Sequence, residues 1–387
     1  MATSSFRHAL TILLVLSCIL LCWPALAETL TLPPGLFSEE LLAVQHNTTV
    51  PGVWSIRAGG AAGGGNNIAV LWDVTKATIP SHTVTAEDAW AHGGYGTWTS
   101  LSNGAWILAC GNGNQQTYFG NHDAGQLWVD IHAKARQLGD YQPQAEQRVV
   151  TATWYGVGHN WTAQYHGQRV AGSLLVRYLV ANDFLSRSIS GEVAGEDFAG
   201  TVRTFNTNTR TSALLGNGWS LDLRASTALG EHWQATAAVE NLLGQITWKG
   251  IPVYERFITS PGVFTDADGF VHDFGGAEGM NWHADLTLQL TPVYQLAINS
   301  TTYPNLLLGV TGTGRDGASP SFGMAWPRKS GWLPYFRLYP DETRLELGII
   351  GRGWLVSIAG DDWLINAPQR ANLNISCLLY TSPSPRD

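Results

Sequence analysis

The sequence predicts an all-β protein, a transmembrane antiparallel β-barrel of roughly 12–16 strands, allowing about twenty residues per strand and connection. Three observations predict it. Segments of about ten residues with apolar/polar alternation recur along the chain, the length a tilted strand needs to cross a bilayer. Charged residues make up 13% of the 387, against 43 Gly and 17 Trp, a mixture suited to glycine-punctuated strands. Trp and Tyr gather at strand ends, at Trp219, Trp233, Trp282, Tyr294, Trp326, Trp332 and Trp354, where amphipathic rings would sit at headgroup level. The competing fold is a secreted soluble β protein that binds carbohydrate through exposed Trp.

The ends of the chain are set apart from this pattern. Arg7 and His8 precede an apolar run, Ala9 to Leu21, and Ala25 and Ala27 offer an Ala-x-Ala cleavage site. Residues 1–27 therefore read as a signal peptide. Cys18 as a lipoprotein signal fits less well, because the apolar run continues past it. Residues 28–53 form a lead-in punctuated by Pro33, Pro34 and Pro51, with a short helix expected over Leu36 to Val44. Residues 377–387 resemble the translation of a sequencing-library adapter. The native chain then ends near Ser376, and the C-terminal strand or strands are expected to be truncated. Cys110 would stand alone in the mature chain, which excludes a disulfide framework and a Cys-type zinc site.

Between these ends, residues 54–376 read as the barrel. Gly59 to Gly65 suits a tight turn or a close backbone approach, and Ile68 to Val74 a strand. Tyr95 to Cys110 reads as a hairpin turning at Ser102-Asn103-Gly104. Leu127, Val129, Ile131 and Ala133 alternate as a strand would, as do Val150, Ala152 and Trp154, then Trp161, Ala163 and Tyr165. Leu174 to Val180 fits a strand or a short helix. Residues 182–211 are polar and aperiodic, and predict a long loop or an inward-folded plug. The alternation then sharpens. Trp219, Leu221, Leu223 and Ala225 would face lipid, and Asp222 and Arg224 the lumen. Ser260 to Gly279 reads as a loop. In Asn281 to Thr291, Trp282, Leu286 and Leu288 would face lipid and His283, Asp285 and Gln289 the lumen, with Pro292 turning the chain afterwards.

The segment Ala238-Val239-Glu240-Asn241-Leu242-Leu243-Gly244-Gln245-Ile246-Thr247-Trp248 resembles the Val-Glu-Asn-Leu-Leu-Gly segment of TraF-like outer-membrane proteins, a group related to FadL-type transport barrels. The resemblance implies a barrel in which this segment closes a strand and turns before Trp248. The Asn-Pro-Ala segment that follows the glycine-rich opening in those families is echoed only loosely at Gly59 to Asn67.

Motifs for chemistry are few. Asp266, Asp268 and Asp273, with Gly269, have the oxygen donors and turn glycine of a calcium loop but lack its later bidentate Glu, so they are a weak calcium candidate and read first as a solvated loop. No zinc-protease helix motif and no Gly-x-Ser-x-Gly elbow occurs. The sequence thus gives no reason to expect an enzyme or a cofactor. A net charge of −8 offers no basic patch for nucleic acid. The expected location is the bacterial outer membrane, with membrane lipid as the principal partner. Two functions follow: a channel or transporter for small or hydrophobic solutes, or a structural barrel that assembles with envelope proteins.

Overall fold

The computed structural model describes residues 29–30, 54–67, 83–133, 139–165, 168–194, 197–208, 214–259, 264–265, 271–272, 276–300, 305–313, 317–326, 332–351, 354–361 and 370–380. The signal peptide, the lead-in helix, the strand expected at Ile68 to Val74 and the calcium candidate at Asp266, Asp268 and Asp273 lie outside them.

Apart from four two-residue strands, the described strands are β1 (Ser55–Asn66), β2 (Asp88–Ser102), β3 (Trp106–Asn121), β4 (Gln144–Tyr165), β5 (Gln168–Ala194), β6 (Asp197–Asn206), β7 (Gly216–Ala228) and β8 (Trp233–Thr259). They continue with β9 (Gly276–Leu290), β10 (Val293–Ser300), β11 (Asn305–Thr313), β12 (Gly317–Ala325), β13 (Leu333–Tyr339), β14 (Arg344–Gly351), β15 (Trp354–Gly360) and β16 (Arg370–Tyr380). These strands pair antiparallel with their neighbours, whereas the short strand Thr29–Leu30 runs parallel to Gln289–Leu290 of β9. β16 pairs with β1 from Ser55↔Tyr380 to Gly65↔Arg370, which closes the sheet into a 14-stranded barrel. The glycine-rich stretch Gly59 to Gly65 is therefore strand, not turn. Four of the closing pairs, Ser55↔Tyr380 through Ala58↔Cys377, involve the adapter-like residues.

Two barrel positions are each shared by two collinear strands. β6 and β7 lie end to end between β5 and β8: β5 pairs with β7 over Val170–Ala181 and with β6 over Leu185–Ala194. The break between them is tied by Thr207, whose hydroxyl accepts from Phe184 N at 2.8 Å while its own N donates to Phe184 O at 3.0 Å. β9 and β10 likewise run end to end along β8. Pro292 marks their break, but the chain continues in the same direction instead of turning there. The loop or plug expected at residues 182–211 is thus corrected: 182–194 finish β5 and 197–206 are β6. Polar residues misled because these strands rise beyond the apolar part of the wall, where the outer face has no need to be greasy.

The hairpin from β2 to β3 turns where expected. Gly104 has φ 88, and Asn103 Oδ1 accepts from Trp106 N at 2.9 Å. At the opposite end of the barrel, His122–His132 form helix α1 where the alternation of Leu127, Val129 and Ile131 predicts a strand. The cap decides it. Asn121 Oδ1 accepts from Ala124 N at 3.0 Å, and the buried Ala124, Gly125 and Val129 share one helical face, with Val129 packed against Val84 and Ala89. Asn121→Ala should cost roughly 0.5–2 kcal/mol, read as a lower urea midpoint, with Asn121→Asp restoring most of it. An unchanged midpoint for Asn121→Ala would count against the cap. Among the described residues no helix is long and apolar enough to cross a membrane, so any crossing falls to the strands.

Candidate functional site

The outer wall changes character along the strands. Register pairs place His159, Leu174, Leu223 and Val239 in one row, then Val157, Val176, Leu221 and Leu243 in the next. The following row is Tyr155, Tyr178, Trp219, Gln245 and Gln289. Val157, Val176, Tyr155, Tyr178, Trp219 and Leu243 are exposed, as are Leu347, Ile349, Val356 and Ile358 on the far side of the barrel. Beyond the aromatic row the outer face is polar. Thr153 accepts from Asn182, Tyr178 donates to Asn217 at 2.7 Å, and Thr247 and Thr287 share a hydrogen bond of 3.0 Å. Apolar rows bounded by aromatics and then by amides and hydroxyls form the profile of a wall that leaves hydrocarbon for water.

The inner wall carries a buried polar node within an apolar cluster. Strand alternation points Leu175, Arg177 and Leu179 of β5 inward while Val176 and Tyr178 point out. On β7 the inward set is Ser220, Asp222 and Arg224. On β8 the register shifts between Val239 and Leu243, and Asn241 sits in that bulge with φ 54, a left-handed conformation that Asn tolerates better than most residues. Arg177 Nη2 donates to Asp222 Oδ1 at 2.7 Å and to Asn241 Oδ1 at 2.8 Å. Asn241 N also donates to Asp222 Oδ1 at 2.8 Å, and its Nδ2 donates to Thr291 O at 3.3 Å. Asp222 is 0% exposed and Arg177 1%. The guanidinium lies 5.4 Å from the centroid of the Trp154 ring.

Trp98, Trp154, Leu175, Leu179, Trp248 and Leu288 belong to the buried cluster beside this node. Trp248 lies 4.7 Å, centroid to centroid, from Phe184. It also lies where a side chain at Gly216 would stand, since a Cβ there would come within 2.4 Å of its indole. The node is incompletely satisfied: Arg177 Nε, Ser220 Oγ and Asp222 Oδ2 have no hydrogen-bond partner among the described residues.

The predicted site residues fall as follows. Asp222 and Arg224 lie on the inner face, and Trp219, Leu221 and Leu223 on the outer. The assignment for Asn281 to Thr291 is corrected. Leu288 is 1% exposed inside the barrel, Leu286 packs half-buried against the same inner cluster, and Trp282 shares their face near the rim. His283, Asp285 and Gln289 are exposed on the opposite, outer side, where Asp285 accepts from Gly250 N at 2.8 Å. The strand has the same alternation as β7 but runs from the aromatic row outward, where the outer face is polar and the packed interior takes the apolar side chains. The VENLLG segment also departs from its expected role. It forms a bulge within the continuous strand β8, not a turn.

Sequence reasoning missed Arg177 and Asn241. Arg177 is a charge inside an otherwise apolar run, and Asn241 follows Glu240 at the point where the alternation of β8 loses step. It also missed a second inner polar group on β13 and β14. There Tyr335 and Tyr339 donate to Glu346 at 2.9 and 3.0 Å, and Arg337 is buried beside them. No group of three or more metal-binding side chains occurs among the described residues.

Comparison with known proteins gives no matching family model and no matching curated protein. Among solved structures, a TodX monoaromatic hydrocarbon channel mutant matches with TM-score 0.45 and 7% identity over 92% of this chain and 96% of that one. The Pseudomonas putida toluene transporter TodX matches with TM-score 0.42 and 8% identity over 92% and 95%. The translocator domain of the autotransporter NalP from Neisseria meningitidis matches with TM-score 0.32 and 12% identity over 89% and 93%. At these values none of the three bears on what this chain carries.

Proposed function

We propose that this chain is a bacterial outer-membrane barrel, exported by residues 1–27, whose lumen passes small solutes. The observation that carries this reading is the outer wall, where apolar rows end at Tyr155, Tyr178 and Trp219 and give way to hydrogen-bonded amides and hydroxyls. A closed antiparallel sheet leaves no unpaired edge, the condition for strands to lie in hydrocarbon. The likeness of Val239 to Gly244 to TraF-like outer-membrane proteins agrees with it. Reconstitution of the refolded protein in planar bilayers should give conductance steps or solute flux. Because the inner cluster around Trp154 and Trp248 is packed, the steps should be small beside those of a wide aqueous pore. A barrel that inserts and passes neither ions nor solute would refute transport and leave the membrane location standing.

That same packed interior favours a second reading, a structural barrel that assembles with other envelope proteins. Affinity purification from the native membrane separates the two. A stoichiometric partner, together with an inert reconstituted barrel, would select assembly.

A further inference from the structure

The inner face of β13 and β14, near the end where Pro340–Glu342 join them, is rich in hydrogen-bond donors. Arg337 and Glu346 are direct cross-strand partners, as are Tyr339 and Arg344. The Glu346 carboxylate already takes two phenol hydroxyls, one per oxygen. The Arg344 guanidinium is stacked 3.8 Å from the centre of the Tyr339 ring. Two strands away Arg370 lies 4.8 Å from the Trp90 ring, and its backbone N–H occupies Asp361 Oδ1. Arg344 and Arg370 thus share the inner face with Arg337, each already stacked on an aromatic ring. Arg337 is 5% exposed, and its Nε and Nη2 have no hydrogen-bond partner among the described residues.

An unpaired guanidinium edge is costly to bury and is shaped for two oxygens of one anion. We propose that Arg337, on the inner face it shares with Arg344 and Arg370, is a subsite for the oxyanion group of a small solute, such as a carboxylate. The proposal rests on the channel reading only for how the solute arrives. The subsite itself is a binding site, so it can be tested without transport.

The test is isothermal titration of the refolded barrel in a non-ionic detergent with benzoate and with benzyl alcohol, which has the same ring without the charge. Benzoate should bind saturably and at least tenfold more tightly than benzyl alcohol. Arg337→Gln should weaken benzoate at least tenfold and leave benzyl alcohol unchanged. Arg337→Lys, which keeps the charge but loses the fork, should fall between. Folding of each variant is checked by the heat-dependent gel shift of a closed barrel, and Arg337→Lys stands in if Arg337→Gln does not fold. Equal affinity for the two ligands, or benzoate binding unaffected in a folded Arg337 variant, overturns the subsite. A conducting barrel with either result would leave the channel reading intact.

Discussion

Asp222→Ala will destabilise the barrel by roughly 3–5 kcal/mol, the cost of stranding one member of a buried ion pair. Arg177 would keep only its bond to Asn241 Oδ1, and Asn241 N would lose its acceptor. The effect should appear as a lower urea midpoint for refolding into lipid vesicles, followed by tryptophan emission. Arg177→Met should cost a comparable amount, because it leaves the carboxylate unpaired beside Ser220. The double variant Arg177→Met/Asp222→Leu should recover most of the loss, since two desolvated charges repay their desolvation poorly. Single variants that unfold at the wild-type midpoint would show that the pair is hydrated and that the node is not a structural element of the lumen.

Val176→Arg will impair insertion by roughly 2–4 kcal/mol, the cost of a cationic side chain at the mid-depth of a lipid-facing barrel wall. Val176 is 48% exposed between Leu174 and Tyr178, and its row neighbours Val157 and Leu221 are apolar. Thr287→Arg, on the outer face beyond the aromatic row, should change the midpoint by less than about 0.5 kcal/mol, as surface substitutions do. Lipid contact gives the second readout: a brominated lipid should quench a probe at residue 176 and leave one at 287 unaffected. Equal penalties, or equal quenching, would contradict the assignment of the apolar rows to hydrocarbon.

These two variants also mark what the sequence can and cannot convey. Alternation reveals strands and separates their two faces, so β7 and the hairpin at Asn103-Gly104 are legible. It does not say which face points inward. Trp219, Leu221 and Leu223 face out while Leu286 and Leu288 face in, with the same pattern. The difference comes from height relative to the apolar band, and height depends on the pairing of strands distant in sequence, such as Gln245 with Gln289. The inner polar groups are hidden for a related reason. Arg177 and Asp222 are 45 residues apart and Arg177 and Asn241 64, and only the pairing of β5, β7 and β8 side by side brings them together. Helix α1 escaped because a short amphipathic stretch satisfies both periods, and its cap at Asn121 decides between them.

The seam between β1 and β16 bears on how the barrel assembles. Over Gly59↔Ser376 to Gly65↔Arg370 it joins segments more than 300 residues apart, a sequence separation larger than that of any hairpin in the wall, so this pairing carries a larger closure entropy than they do. β1 brings little to offset it. Its sequence, SIRAGGAAGGGN, is largely without side chains, and each glycine loses more freedom on ordering than another residue would. Hairpins such as β2–β3 and β7–β8 can zip locally and early, whereas the seam must wait until the rest of the sheet has curled and is held by backbone hydrogen bonds with few side-chain contacts. Closure of the sheet thus rests on the backbone of Gly59 to Gly65, whereas the buried side chains around Arg177 and Trp248 lie on the opposite side of the barrel.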